Sequence, residues 1–233
     1  ADGEVYDPDS LRDCAKSELI RIRRCGCAHT EQVSPAITVQ QSVHEAHLLM
    51  GAIDEAARRQ DWSGVATACR NALAHPCAPH AFYVADLWTG LAEAYVILGR
   101  YDDAIEALHS AVANGHRAWP HPDADIARLH LLAGRRAEAD ALFASLRERT
   151  PDDLWLYLAA GTGYREAGDP ATALGWFDEG VDKALTSGDP EGVVRELHDG
   201  RTGTLGDLGR TPDERSARAA EFLSHWTPAA PGA

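Results

Sequence analysis

The apolar positions of this chain recur with the period of a helix, not with the alternation of a strand. Ala104, Ile105, Leu108, Ala111 and Val112 fall at i, i+1, i+4, i+7 and i+8, one face of a 3.6-residue period, and Leu174, Phe177 and Val181 repeat the stripe later. A helix is expected to begin near Thr38 and run to about 58, a stretch with no Pro and no Gly before Gly51. Ser10 can cap a helix running to Arg24, with Leu11, Ala15, Leu19 and Ile22 on one side. A last helix is expected from Pro212 to about Trp226, carrying Ala217, Ala220, Phe222, Leu223 and Trp226. Gly99, Gly134 and Gly168 stand where one helix ends and the chain turns, a position that often needs φ > 0.

The spacing is also repetitive. Gly134 and Gly168 lie 34 residues apart, and each is followed five residues on by Ala (Ala139, Ala173) and four further by Phe (Phe143, Phe177). The clearest unit holds Trp88, Leu91, Ala92 and Tyr95, then Gly99, Tyr101, Ala104, Leu108 and Ala111. This pattern resembles the tetratricopeptide signature, with Ala92 in place of its Gly and Leu108 in place of its Phe. Asp123 and Tyr157 stand at the Trp positions of the next two units, and His130 at a Tyr position. The resemblance implies an all-α fold, a right-handed α-solenoid of antiparallel helix pairs with helical caps, because one pair alone cannot bury its apolar stripes. Units are expected at about 46–79, 85–118, 120–153 and 154–187, with a degenerate one at 195–226. Residues 1–37 would form an N-terminal cap, 38–226 the repeat domain and 227–233 a frayed tail.

In tetratricopeptide proteins the first helix of each pair lines a concave binding face. Carried over by position, that face would include His47, Met50, Asp54 and Arg58, then Asp86, Thr89, Glu93 and Ile97. Arg128 and Leu132 follow, then Trp155, Leu158, Thr162 and Arg165. The clamp of Lys, Asn and Arg with which some family members grip a terminal carboxylate has no counterpart here, and Asp54, Asp86 and Glu93 would repel such a ligand. The implied partner is a protein or peptide of basic or mixed charge.

Composition narrows the classes. The 233 residues are 45% apolar and 25% charged, too hydrophobic for a disordered chain. Thirty-six acids against 22 bases give a net charge of −14, which repels the nucleic-acid backbone. No apolar run approaches the ~18 residues of a membrane span, and the first residues lack the pattern of a secretory signal. A cytoplasmic location is therefore expected. The bases are nearly all Arg, with Lys only at 16 and 183, a bias that a GC-rich bacterial genome alone would produce. Five cysteines, an odd number, do not make a closed disulfide framework.

Cys25-Gly-Cys27-Ala-His29 is the sharpest chemical cluster, since thiolates and imidazole suit zinc, and His44 and His47 could complete such a site. Cys14 fits poorly, being ~16 Å from Cys25 along a continuous helix. A weaker candidate is His75-Pro-Cys77-Ala-Pro-His80. Glu106-Ala-Leu-His109 lacks the second copy that a di-iron bundle requires. Gly200, Gly203, Gly206 and Gly209 read as a weak, mobile helix ended by Gly209, and not as a phosphate loop. No familiar hydrolase, metalloprotease or kinase signature appears. Two functions follow: a non-catalytic protein- or peptide-binding scaffold that needs no cofactor, or a metal-dependent or small-molecule-processing protein on the same solenoid.

Overall fold

The computed structural model describes residues 39–75, 78, 82–117, 121–189 and 192–226, with the backbone alone for 39–44. The expected N-terminal cap and the C-terminal tail lie outside the described residues. Ten helices and no strand occur among those described: α1 (Val39–Arg58), α2 (Trp62–Ala74), α3 (Val84–Ile97), α4 (Tyr101–Ala113), α5 (Asp123–Leu132), α6 (Arg136–Arg149), α7 (Leu154–Glu166), α8 (Pro170–Ser187), α9 (Val194–Asp207) and α10 (Glu214–His225). The described residues form an all-α helical repeat. No described helix is long and apolar enough to cross a membrane.

One turn recurs seven times among the described residues: at Gly99, Gly134, Gly168 and Gly209, at Gln60, and at Gly115 and Gly188 (φ 93° and 77°), after which His116 N–H reaches Ala111 at 2.9 Å and Asp189 N–H reaches Ala184 at 3.0 Å. Gly99, Gly134, Gly168 and Gly209 have φ between 66° and 80°. After each, the next N–H reaches back to the carbonyl five residues earlier: Arg100 to Tyr95, Arg135 to His130, Asp169 to Tyr164 and Arg210 to Leu205, at 2.8–2.9 Å. This glycine-centred cap satisfies carbonyls that the end of a helix leaves open. Between α1 and α2 the same turn is built with Gln60 at φ 56°, and Asp61 N–H reaches Ala56 at 2.9 Å. At the starts of helices, Asp61, Asp153, Asp169 and Asp213 accept from the N–H three residues on.

The chain forms two compact units. Among the described residues the first comprises those up to 100 and 109–116, the second 101–108 and those from 117 onward. In the first unit, α2 packs on both α1 and α3, while α1 and α3 meet at most in passing. Val65, Ala66, Cys69 and Ala72 on α2 are buried, as are Leu91, Ala92 and Tyr95 on α3. Arg70 donates to the Tyr95 hydroxyl at 3.0 Å.

In the second unit, the pairs α5/α6, α7/α8 and α9/α10 stack so that α7 touches both α5 and α9. Its core runs from Ala124 to Ala219, with Phe143, Tyr157 and Phe177 almost wholly enclosed. The glycines at 200 and 203 belong to the continuous helix α9, which ends just before the Gly209 turn, and they mark close approaches. A methyl on Gly200 would sit 2.6 Å from Phe177 Cε1, and one on Gly203 would sit 2.8 Å from the Arg165 guanidinium. In α10 the inward positions are Ser216 and Ala219, with Phe222 and Leu223 half-buried; Ala217 and Ala220 face solvent, a register one residue off the expected one.

Candidate binding surfaces

In the first unit, His47, Met50, Asp54 and Arg58 are all exposed along α1, at spacings of three and four residues that share a face. Arg58 is paired with Glu55 of its own helix. On α3, Asp86 and Glu93 are exposed, Ile97 is 55% exposed, and the half-buried Thr89 donates its hydroxyl to the Asp86 carbonyl at 2.9 Å. The structure does not set these two groups side by side, because α2 separates α1 from α3. Large apolar side chains also stand out here: Leu48 is 61% exposed and Met50 40%, and Tyr83 and Leu98 flank α3. Spacing alone did not single out Leu48, Tyr83 or Leu98.

In the second unit, the first helices α5, α7 and α9 are stitched together by their own charges. Arg128 grips Glu166 with Nε–Oε2 2.5 Å and Nη2–Oε1 3.0 Å, a two-pronged contact. Arg165 Nε meets Asp207 Oδ2 at 2.6 Å. Each carboxylate holds its arginine more firmly charged, and the Asp207 carboxyl is in turn held below its ordinary range by Arg165. Trp155 and Leu158 lie half-buried against the core, and Leu132 and Thr162 are half-buried. The two arginines expected on the binding face are thus already matched from within the chain.

Two cavities of this unit are lined largely by its second helices, with residues of α7. One, of about 540 Å³, lies between α6 and α8, floored by Tyr157, Tyr164 and Trp176. The other, of about 690 Å³, continues along α8 toward Arg215 of α10. They share Glu179 and Lys183. Cations of the chain sit over the rings: Arg147 is 5.3 Å from the Trp176 centroid, Lys183 5.5 Å from Tyr157 and Arg136 5.3 Å from Tyr164. Arg147 also bridges to Glu179 at 2.6 Å. Burial, reinforced by Glu179, pushes the Tyr157 hydroxyl up to about 12. Burial and the hydrogen bond to Asp140 likewise raise Tyr164. Both are moved away from the neutral range that suits a general acid or base.

Among the described residues no group of three His, Cys, Asp or Glu side chains is placed to hold a metal. Cys14, Cys25, Cys27, His29, Cys77 and His80 lie outside those residues, as does the side chain of His44; His75 Nε2 stands 3.2 Å from Glu45 Oε2. The one described cysteine, Cys69, is a buried thiol, raised by that burial and by nearby Glu93.

No protein-family model and no curated protein matches the chain. Among solved structures it is similar to the MamA protein, at 14% identity over 77% of this chain and 88% of that one, with a TM-score of 0.45. It is also similar to a tetratricopeptide repeat protein from Parabacteroides merdae, at 17% identity over 79% and 78%, TM-score 0.42. A third similar structure is Bacillus thuringiensis PlcR, solved with the peptide PapR7 and DNA, at 12% identity over 94% and 81%, TM-score 0.44.

Proposed function

We propose that this chain is a non-catalytic scaffold that binds a protein or peptide through the first helices of its first unit. The observation that carries the reading is where apolar side chains are left in water. The exposed large hydrophobics among the described residues, Leu48, Met50, Tyr83, Ile97 and Leu98, all belong to α1, to α3 or to residues adjoining α3. Covering apolar surface is worth about 25 cal/mol per Å², so such side chains gain from a partner that covers them. The acids Asp54, Asp86 and Glu93 on the same helices favour a partner that adds Arg or Lys to an apolar anchor.

The test is site-specific photo-crosslinking in extract from the source organism. A photoreactive residue at position 50 or 97 is expected to trap a second protein, while the same residue at Glu138, exposed on α6, traps none. Adducts confined to position 138 would refute the assignment.

A further inference from the structure

One side of α1 stays bare among the described residues, and the chain carries a segment whose chemistry matches it. We propose that residues 10–24 dock along α1 over Leu48, so that the chain covers part of its own binding face until a partner displaces the segment. Self-coverage presupposes the first-helix reading, since Leu48 must belong to a contact face.

The surface is defined by what α1 lacks. Among the described residues α1 packs in more than passing on α2 alone, and its covered row is Ala46, Leu49 and Ile53. Leu48 and Ala52, one turn apart on another side of the helix, are exposed, Leu48 at 61%. A leucine so placed gains from any apolar cover. Residues 10–24 are within reach of it. As a helix they would be about 22 Å long, against about 30 Å for α1, and Leu11, Ala15, Leu19 and Ile22 would share one side. The 14 residues from 25 to 38 can span up to about 46 Å, whereas Leu48 stands only about 14 Å along the helix from Val39. Joined to α1 by that connection, the segment is held at an effective concentration of about millimolar. Charge favours the same occupant. The segment holds five bases, three of them at Arg21, Arg23 and Arg24, against two acids, so it is net +3 in a chain whose total is −14. Asp54 is exposed on α1, and Asp86 and Glu93 on α3. The guest that this face favours is an apolar anchor edged with Arg or Lys, and residues 10–24 supply both.

The probe is a fluorescein-labelled peptide of residues 10–24 carrying Cys14→Ser, titrated with the full chain and read by fluorescence anisotropy. Wild type should bind it at least about tenfold more weakly than the full-chain variant Leu19→Glu with Ile22→Glu, whose own segment no longer competes. Adding Leu48→Glu to that variant, a change at an exposed position, should abolish the gain. If the segment variant fails to fold, a photoreactive residue at 48 in the purified chain settles the matter. It should join residues 10–24 of the same chain, at monomer mass, while the same residue at Glu138 should not. Equal binding by wild type and variant, no binding by either, or a gain that survives Leu48→Glu would each overturn self-coverage. So would the lack of an adduct at 48, or one that joins two chains. Partner trapping at position 97 in extract needs none of these contacts. A failure there falls on the first-helix reading, and a failure here on self-coverage alone.

Discussion

The guanidinium of Arg201 on α9 meets the carboxylate of Asp178 on α8 at 2.6 Å, with only 1% of the arginine side chain exposed. Its remaining nitrogens reach Asp213 Oδ2 and Ser216 Oγ, each at 2.6 Å. Burial works against the charge of Arg201, and the two carboxylates more than offset it. One side chain therefore ties the last helix pair to the pair before it.

Arg201→Ala should lower the unfolding free energy by about 3 kcal/mol, the low end for breaking a buried ion pair, because Arg215 still serves Asp178. Arg201 holds the Asp213 carboxyl well below its ordinary range. A depressed carboxyl contributes stability above the unfolded value of about 4 and loses it as pH falls through the folded value. The deficit of Arg201→Ala, followed by urea denaturation, should thus be full at pH 6 and narrow below about pH 4. A deficit that grew on acidification would contradict this origin.

Phe177 explains two glycines. Its ring lies against both Gly161 on α7 and Gly200 on α9, where an added methyl would meet Cε1 at 2.7 and 2.6 Å. Gly161→Ala and Gly200→Ala should each destabilise by roughly 1–3 kcal/mol through overpacking, although alanine is the better helix former. Gly51→Ala and Gly175→Ala, where a methyl meets nothing within 4 Å, should stabilise by about 0.5–1 kcal/mol. Thermal unfolding of the four variants checks the contrast. A uniform gain across all four would mean that the close approach is not real.

Gln60 holds the left-handed conformation that glycine holds in the other six described turns of this kind. A non-glycine residue there costs about 1–2 kcal/mol, so Gln60→Gly should raise the unfolding midpoint of the first unit. An unchanged or lowered midpoint would place the strain elsewhere.

These residues also show how far the sequence could be read. Ala104, Ala139 and Ala173 are wholly buried, and Gly99, Gly134 and Gly168 turn with positive φ, because helix-pair geometry forces small or left-handed residues at fixed steps. Such constraints are local and survive in a single chain. What depends on contacts between distant residues was not legible. The burial of Arg201 needs Asp178 and Asp213 brought together by the fold, and nothing in its neighbourhood announces it. Gly200 looked like a weak point because its partner, Phe177, lies 23 residues away. Arg128 and Arg165 were candidates for a guest until packing of α5, α7 and α9 delivered Glu166 and Asp207 to them. The separation of α1 from α3 by α2 was hidden for the same reason.

The central claim is that the exposed apolar residues of α1 and α3 in the first unit contact a partner. Its most direct test is the affinity of the crosslinked partner for Met50→Glu with Ile97→Glu, compared with wild type by calorimetry. The two exposed positions predict an unchanged unfolding midpoint and an affinity at least about tenfold weaker, since each placed charge must be desolvated against an apolar contact. An affinity equal to wild type, with the protein folded, would show that the partner binds somewhere else.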